Sequence, residues 1–262
     1  MADPAPQNKP ALAQVCVIAA DSFRRHLGEL STALHPLELE AAERFRRRDD
    51  AERFIIGRAL VRHLCAIHCG CEPRAIEILL AASGKPYVQS GLSLEFNVSH
   101  SGNCVLVAWS TTGPVGVDVE AATPGGRETF LEMAQRAFSP DEFAILRSAG
   151  ADEVAGLFYR IWVRKEAFLK ASGTGTGSIF SSFSVLEETR GDVRWLDQVQ
   201  ISADGPIWKV HDLNAMAGHA AGIAVPAGTE ILETPDVPSL PEFLDLARMP
   251  PARGSRQSGS NR

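Results

Sequence analysis

The sequence predicts an α+β fold, because helix-like and strand-like segments alternate along most of its 262 residues. Two long stretches, at about residues 37–69 and 127–171, repeat apolar residues at the period of an amphipathic helix. Eight shorter runs are typical of strands, near residues 13–19, 75–80, 92–98, 104–109, 114–120, 181–187, 207–211 and 219–225. With 45% hydrophobic and 22% charged residues, the chain can bury a sizeable core as one domain or two small ones.

Turn residues separate the strands of the first half. The Gly and Pro of Ser83–Tyr87 predict a turn that presents Lys85 at its tip. The strand-like runs 92–98 and 104–109 leave His100 between them, and we expect this histidine in a turn. Its two ring donors when charged, with nearby backbone N–H groups, can form an anion cradle. A solvated histidine and a plain loop lysine are the simpler alternatives.

The strand at 114–120 places two acids on one face. Three valines alternate with Gly116, Asp118 and Glu120, so the valines face a core and the acids project from the opposite side. Two unpaired carboxylates this close raise one another's pKa, and a hard cation such as Mg²⁺ removes that cost. The alternative is an ordinary solvated strand face.

The segment 158–170 predicts a helix with one apolar stripe, formed by Phe158, Ile161, Trp162, Phe168 and Leu169. Glu166 and Lys170 flank this stripe at the i,i+4 spacing of an ordinary surface ion pair. Lys165 lies inside the stripe, where an ammonium is costly unless it reaches solvent or meets an anion. A phosphate ester would be such an anion.

Four ordered motifs together carry a family resemblance. They are Gly84-Lys85-Pro86, Phe96-Asn97-Val98-Ser99-His100-Ser101, Gly116-Val117-Asp118-Val119-Glu120 and Trp162-x-x-Lys165-Glu166-Ala167-x-x-Lys170. In order and spacing the chain is similar to the Sfp-type 4'-phosphopantetheinyl transferases, from about Arg44 to about Val185. The Trp and Lys-Glu-Ala version resembles the subgroup that includes bacterial and fungal secondary-metabolism enzymes.

The resemblance implies a reaction and a fold. The phosphopantetheine arm of coenzyme A would move to a serine of an acyl or peptidyl carrier protein, leaving adenosine 3',5'-bisphosphate. Such a site supplies a metal and positioned cations rather than a protein nucleophile. The implied fold is two similar α+β lobes that form a pseudo-dimer in one chain, with coenzyme A in the cleft between them.

Acidic residues of the implied site come from two motifs. Asp118, Glu120 and Glu166 resemble the Mg²⁺ carboxylates, with Mn²⁺ as an alternative metal. Glu166 also resembles the group that takes the proton from the carrier serine, either directly or through a water on the metal. The sequence does not separate these two routes.

Basic residues complete the implied site. Lys170, with Lys165 as a partner, would neutralise the pyrophosphate. Arg53 and His100 resemble contacts to the 3'-phosphate, and Lys85 resembles the adenine-side contact. The coenzyme A contacts implied in this way are Arg53, Lys85, Ser99, His100, Asp118 and Lys170.

One segment departs from the family pattern. Family members often carry basic residues just before the Arg53 region that also hold the 3'-phosphate. This chain has acids there instead, at Glu38, Glu40 and Glu43. The arginines at 44 and 46–48 are candidates to replace them, although a run of arginines on a helix is usually a solvated face.

Composition excludes some partners and favours a compartment. A net charge of −6 argues against nonspecific nucleic-acid binding, and we expect no nucleic-acid partner. No segment reaches the roughly eighteen apolar residues of a membrane span, and residues 1–10 lack a signal-peptide core. Five cysteines, an odd number, fit a reducing compartment. We therefore expect a cytoplasmic protein, monomeric, that docks carrier proteins transiently.

Four segments are expected along the chain: a disordered N-terminus at 1–11, an N-terminal lobe at 12–112, a C-terminal lobe with the metal site at 113–232, and a mostly disordered Pro/Gly/Ser-rich tail at 233–262. One short helix is expected within the tail, over Leu240–Met249. The loop at 174–177 follows a helix, whereas a phosphate cradle normally precedes one, so a P-loop is not expected.

Other readings of the sequence remain open. The cluster of Cys65, Cys69 and Cys71 continues a helical pattern and lacks a second paired half, so zinc is not expected there. A different coenzyme A enzyme, such as an acyltransferase, would place the thioester end at the carboxylates and would not need magnesium. A binding module that has lost turnover is the nonenzymatic alternative.

Overall fold

The computed structural model describes residues 11–88, 91, 93–174, 180–189 and 192–249. The expectations for residues 1–10, 175–177 and 250–262 concern positions outside these ranges. Within them the helices are α1 (Ala20–Arg24), α2 (Leu27–Thr32), α3 (Pro36–Glu43), α4 (Arg48–Cys69), α5 (Arg127–Ala137), α6 (Pro140–Ser148), α7 (Val154–Ser172) and α8 (Leu240–Arg248).

The strands are β1 (Leu12–Ala19), β2 (Ile78–Leu80), β3 (Pro86–Val88), β4 (Glu95–Ser101), β5 (Cys104–Ser110), β6 (Gly116–Ala121), β7 (Leu186–Thr189), β8 (Asp192–Trp195), β9 (Gln198–Val199), β10 (Trp208–Asp212), β11 (His219–Pro226) and β12 (Glu230–Thr234). The predicted α+β class is confirmed. Among the described helices, none is long and apolar enough to cross a bilayer.

The first sheet has the order β12-β1-β5-β4, in which β1 pairs antiparallel with β5 and parallel with β12. Alternate residues of β1 and β5 point to one face and form a core with α4 and α8. Trp109 of β5 packs there against Phe243 of α8, with ring centroids 6.0 Å apart. The first half of the chain is thus a sheet with one long helix on its outer face.

The second sheet has the order β6-β11-β10-β9 and is antiparallel throughout. The helix α7 lies directly on it. A Cβ added at Gly116 would lie 2.2 Å from the carbonyl oxygen of Ala167, and one added at Gly222 would lie 3.2 Å from that of Val163. These two glycines therefore permit the helix to approach the sheet backbone closely. The outer core of this half is aromatic, with Phe158 among its members.

A third core joins the two sheets. It contains the remaining faces of β1 and β5 together with the valines of β6 and apolar residues of β11. The layers therefore follow the order helix, sheet, sheet, helix, and each half contributes one sheet and one long helix, α4 or α7. This arrangement agrees with the expected pair of lobes in one chain.

Several element boundaries differ from the sequence-based expectation. The stretch at 37–69 is two helices, because residues 44–47 break the α-helical pattern between α3 and α4. The stretch at 127–171 is three helices, and Ser139 begins α6 by a reciprocal capping box with Glu142. The run at 181–187 begins with a 3-10 turn, Phe180–Ser182, and is a strand only from Leu186.

His100 lies in β4 and not in a turn. Ser101 pairs with Cys104 across the hairpin, so only two residues remain for the turn. Gly102 supplies the positive φ of 55° that such a tight connection requires. The turn expectation was wrong because the apolar alternation becomes polar after Val98 while the strand itself continues.

The segment 233–249 also differs from the expectation of a mostly disordered tail. The strand β12 extends the first sheet beside β1, and the expected short helix is present as α8. Phe243 and Leu240 of α8 are buried in the first core, which stabilises the segment despite its flanking prolines.

Candidate active site at the junction of the two sheets

The edges of the two sheets, β4 and β6, meet through side chains. The β6 backbone N–H of Val117 donates to Asn97 Oδ1 at 2.8 Å, and that of Ala121 donates to Ser101 Oγ at 3.0 Å. Between them, Val119 N donates to Ser99 Oγ at 3.3 Å. The alternating polar residues of β4 thus take the place of a backbone partner for β6, and they hold β6 in a fixed position along the junction.

Asp118 lies at the centre of this junction and is buried. Its Oδ1 accepts hydrogen bonds from Ser99 Oγ at 2.9 Å and from Lys170 Nζ at 2.6 Å. Its Oδ2 is buried and has no hydrogen-bond partner among the described residues. Burial raises the pKa of Asp118, while Lys170 and Ser99 oppose that rise. Asp118 therefore has one acceptor atom free for a further ligand.

Glu120 and Glu166 extend the acidic cluster. Glu120 Oε2 accepts a hydrogen bond from Ser101 Oγ at 2.9 Å. Burial raises the pKa of both glutamates, and the charge of Asp118 raises each further. Glu120 also raises the pKa of Glu166, so the three carboxylates repel one another electrostatically. The structure therefore brings the three acids that are expected to bind metal close enough to interact electrostatically.

These carboxylates are not a preassembled metal cage. Among the described residues, no three His, Cys, Asp or Glu side chains are positioned to hold a metal ion directly. Asp118 instead forms an ion pair with Lys170, whose positive charge neutralises the carboxylate. The donor chemistry nevertheless fits a hard cation, because Asp118 Oδ2 is unpaired, and because burial and then the neighbouring acids raise the pKa of Glu120 and Glu166.

Lys170 reaches the cluster, whereas Lys165 does not. The Lys170 side chain is 29% exposed and pairs with Asp118, 52 residues away in sequence, and not with Glu166 four residues earlier. The Lys165 side chain has no exposed surface and pairs with the equally buried Glu142 at 2.7 Å. Lys165 also donates to the carbonyl oxygen of Phe183.

The expected role of Lys165 at the pyrophosphate is therefore wrong. Its position in the apolar stripe directs it into the outer core of the second half, away from Asp118. The anion it meets there is Glu142, whose other oxygen accepts from Val185 N at 2.8 Å. The sequence correctly indicated that this lysine needs an anion, but the anion is part of the protein.

Two pockets meet at Lys170. One, of about 320 Å³, is lined by residues that include Phe54, Arg58, His100 and Lys170. The other, of about 280 Å³, is lined by Lys85, Glu166 and Lys170 among others. A third pocket, of about 670 Å³, lies against Glu120. The acidic cluster is thus bordered by cavities from both halves of the chain.

His100 and Arg53 interact electrostatically, but they line different pockets. Burial lowers the pKa of His100, and the charge of Arg53 lowers it further. His100 lines the 320 Å³ pocket. Arg53 lines the 670 Å³ pocket instead, and its Nη1 donates to the carbonyl oxygen of Gly102 at 2.7 Å while its Nη2 pairs with Asp50. Each terminal nitrogen of Arg53 therefore has a partner within the protein, while its buried Nε has none among the described residues.

Lys85 and Ser99 both lie at the cleft and both have partners. Lys85 Nζ is 3.2 Å from Glu95 Oε2, beside the pocket that also contains Glu166. Ser99 Oγ donates to Asp118 and accepts from the backbone of Val119, so its contacts position β6 and the acid.

Sequence reasoning missed two groups at the site. Asn97 and Ser101 join the sheet edges, and the period-two spacing of Asn97, Ser99 and Ser101 was the signal that could have identified them. Arg58 was missed as well. It lies five residues after Arg53, but only the structure shows that it lines the pocket of His100.

Two halves, each with a sheet and a long helix, meet at a cleft within one chain that is lined by acids and cations. Two family models match this chain. Residues 22–112 match the 4'-phosphopantetheinyl transferase N-terminal model, and residues 114–224 match the 4'-phosphopantetheinyl transferase superfamily model.

Similar proteins support the same family assignment as the family models. The chain is similar to 4'-phosphopantetheinyl transferase Sfp of Bacillus subtilis strain 168, at 33% identity over 160 residues, covering 61% of this chain and 69% of Sfp. It is 34% identical over 167 residues to 4'-phosphopantetheinyl transferase HetI of a Nostoc species, covering 62% and 69%. The chain therefore belongs to the 4'-phosphopantetheinyl transferase superfamily and to its Sfp type.

A further Bacillus subtilis 4'-phosphopantetheinyl transferase is 35% identical over 154 residues, 59% of this chain and 66% of the relative. For that relative the match spans slightly less than two thirds of its length.

Proposed function

We propose that this protein transfers the 4'-phosphopantetheine arm of coenzyme A to a serine of an acyl or peptidyl carrier protein and converts the apo carrier to the holo form. The observation that carries the proposal is the Lys170–Asp118 pair beside Glu120 and Glu166, in a chain that matches two family models of 4'-phosphopantetheinyl transferases. We also propose that the two lobes divide near residues 111–114.

The proposed chemistry is displacement at the phosphorus that bears the pantetheine arm. The carrier serine oxygen forms a bond to this phosphorus as the bond to the bridging oxygen breaks. Adenosine 3',5'-bisphosphate leaves with the electron pair, and the serine proton passes to Glu166. Because burial and neighbouring acids raise the pKa of Glu166, it is a better proton acceptor than an ordinary surface carboxylate.

Lys170 has the second role in the proposal. Its ammonium lies at 2.6 Å from Asp118 and lines both pockets of the cleft. A diphosphate entering the cleft would compete with Asp118 for this lysine, and charge on the phosphate oxygens would be neutralised as it develops. Release from Lys170 would leave Asp118 Oδ1 bonded only to Ser99, so that a cation could approach both this oxygen and the unpaired Oδ2.

Asp118, Glu120 and Glu166 are the residues proposed to hold Mg²⁺, or Mn²⁺ in its place. When bound, the metal would stabilise negative charge on the phosphate oxygens. The protein side of this proposal is supported by the unpaired Asp118 Oδ2 and by the raised pKa values of the three acids.

The remaining proposed contacts come from the first half. His100 would donate to the nucleotide phosphate, and Lys85, beside Glu166, would lie on the adenine side. Ser99 would act by holding Asp118. A monomer is proposed because both sides of the cleft come from one chain. A cytoplasmic location is proposed because all five cysteines are free thiols.

Intact-mass analysis of apo carrier proteins tests the proposal. The protein is freed of metal with a chelator and incubated with coenzyme A and each carrier, with and without added Mg²⁺. We expect a mass gain of one phosphopantetheine that requires the metal. Transfer of only an acyl group would instead indicate an acyltransferase, and binding without modification would indicate an inactive module.

The proton-acceptor role has its own test. Glu166→Gln should slow transfer by about 100-fold or more, because general-base groups contribute on this scale, and should weaken coenzyme A binding much less. Glu188→Gln, an exposed acid on β7, is the matched control. Binding by calorimetry and turnover by mass analysis are compared. Equal losses in binding and turnover would contradict the role.

A further inference from the structure

The C-terminal end of α4 carries cysteines that the proposed function does not use. Cys65 is buried, Cys69 is partly buried and is the last residue of the helix, and Cys71 is exposed two residues further on. The other two cysteines of the chain, Cys16 and Cys104, are buried, and all five are free thiols. Accessible sulfur is therefore concentrated at one place, the pair Cys69 and Cys71.

The two accessible thiols contact each other. The Cys71 thiol forms a side-chain hydrogen bond with Cys69. Between them Gly70 adopts the left-handed conformation, with φ 66° and ψ 36°, which glycine does without strain. The N–H groups of Gly70 and Cys71 both donate to the carbonyl oxygen of Ala66, at 2.8 and 3.2 Å. The chain is thus held in a turn at the helix end.

This turn has the geometry that a disulfide needs. Residues on either side of a single helical or left-handed residue have Cα atoms about 5–6 Å apart, and a disulfide spans a similar Cα separation. A Cys69–Cys71 bond therefore requires only rotation of two side chains that already touch, and no displacement of α4.

The buried cysteines are poor competitors for this reaction. Burial raises the pKa of Cys16 and Cys65 to about 12 and that of Cys104 to about 11, and the thiolate is the form that attacks a disulfide. The pKa of Cys71 is also raised, first by local desolvation and then by the charge and hydrogen bond of Cys69, although the residue is exposed. The reaction of the pair should therefore become faster as the pH rises.

We infer that Cys69 and Cys71 form a dithiol site that a low-molecular-weight disulfide, such as glutathione disulfide, oxidises reversibly to an internal disulfide. The Cys71 thiolate attacks one sulfur of glutathione disulfide, and the first glutathione leaves with the electron pair of the broken S–S bond. The Cys69 thiolate then attacks Cys71 Sγ, and the second glutathione leaves. The two thiol protons end on the two glutathione molecules, which gain the two electrons that the cysteine pair loses.

The dithiol site is remote from the cleft. Val61 is the last residue of α4 that lines the pocket of His100, and Cys69 follows it by about 12 Å along the helix axis. The inference therefore goes beyond the proposed function and does not depend on it. Its test needs no coenzyme A and no carrier protein.

Mass analysis of the full chain tests the inference. The reduced protein is freed of reductant, incubated with glutathione disulfide at about pH 9, above the ordinary thiol pKa, and then alkylated. We expect the unmodified sequence to lose two hydrogen atoms and to retain no glutathione. Peptide mapping should link Cys69 to Cys71, and dithiothreitol should restore the original mass.

Single variants isolate the two steps. Cys69→Ser cannot close the ring and should retain one glutathione on Cys71. In a mixture of reduced and oxidised glutathione, the unmodified protein should be half oxidised at a glutathione disulfide concentration about 10-fold or more below that which half modifies Cys69→Ser, because the second thiol acts at a high effective concentration. Cys65→Ala removes the neighbouring buried thiol and should still form the internal disulfide. Circular dichroism confirms that each variant is folded.

The alternatives each have a distinct product. A link from Cys65 to either thiol, a disulfide between two chains, or glutathione retained on the unmodified sequence without ring closure would overturn the inference. So would an unchanged mass at about pH 9. If Cys65→Ala fails to fold, the peptide map of the unmodified sequence still decides which two sulfurs are joined.

Discussion

Replacing Lys165 by Met should destabilise the protein without acting at the cleft. The substitution keeps most of the side-chain volume and removes the ammonium that pairs with Glu142 at 2.7 Å. Neither side chain has exposed surface, so the remaining carboxylate would stay buried without its cation. Only backbone donors, those of Ser139 and Val185, would still contact Glu142.

The magnitude follows from this burial. Removing one partner of a buried ion pair costs about 3–5 kcal/mol, because an uncompensated charge remains. For a protein of this size each kcal/mol corresponds to roughly 2–4 °C in the unfolding midpoint, so we expect a decrease of about 6–20 °C. Adding Glu142→Gln removes the stranded charge and should recover part of the loss.

Thermal unfolding followed by circular dichroism measures the effect, and transfer is assayed at a temperature where the variant remains folded. Lys170→Met on the same helix is the comparison at the cleft, and it should abolish transfer even at a temperature where the variant remains folded, whereas Lys165→Met should retain transfer there. If Lys165→Met unfolds within about 2 °C of the unmodified protein yet loses transfer, the structural role argued for Lys165 is refuted.

Two further predictions concern the junction and the sheet. Burial, then Arg53, lowers the pKa of His100 from 6.5, so its contribution to stability is present above that value and is lost as the pH falls through the lower folded pKa. His100→Gln should therefore lose less stability on acidification than the unmodified protein in urea unfolding at each pH; equal losses would contradict this. Gly116→Ala would place a Cβ 2.2 Å from the Ala167 carbonyl oxygen and should cost about 3 kcal/mol or more. Gly156→Ala in open space on α7 should stabilise by up to about 1 kcal/mol, and similar values for the two glycines would refute the close packing.

Local patterns predicted the elements of the site well. The alternation around Asp118 placed two acids on β6, and the i,i+4 pattern placed Glu166 and Lys170 on one side of α7, as the structure has them. The order of the motifs also indicated the family, which the comparisons confirm. These features depend on spacing within one strand or one helix, which sequence shows directly.

Partner choice across the fold was not predictable in the same way. Lys170 meets Asp118 and Lys165 meets Glu142, 52 and 23 residues away in sequence, so packing decides which lysine reaches the cleft. The burial of α8 could not be predicted from the sequence for a related reason. Its few apolar residues stand among prolines, and they are stabilised only by a core formed much earlier in the chain.

The parallel pairing of β12 with β1 gives the chain an unusual order of assembly. The strand that starts the first half borders one that is synthesised after the whole second half, and α8 closes the same core later still. A nascent chain stopped after residue 112 would leave the β1 edge and Trp109 uncovered on the ribosome. The first half can therefore mature only after residues 230–248 have been synthesised, and separating the halves as independent fragments should yield an aggregation-prone N-terminal piece.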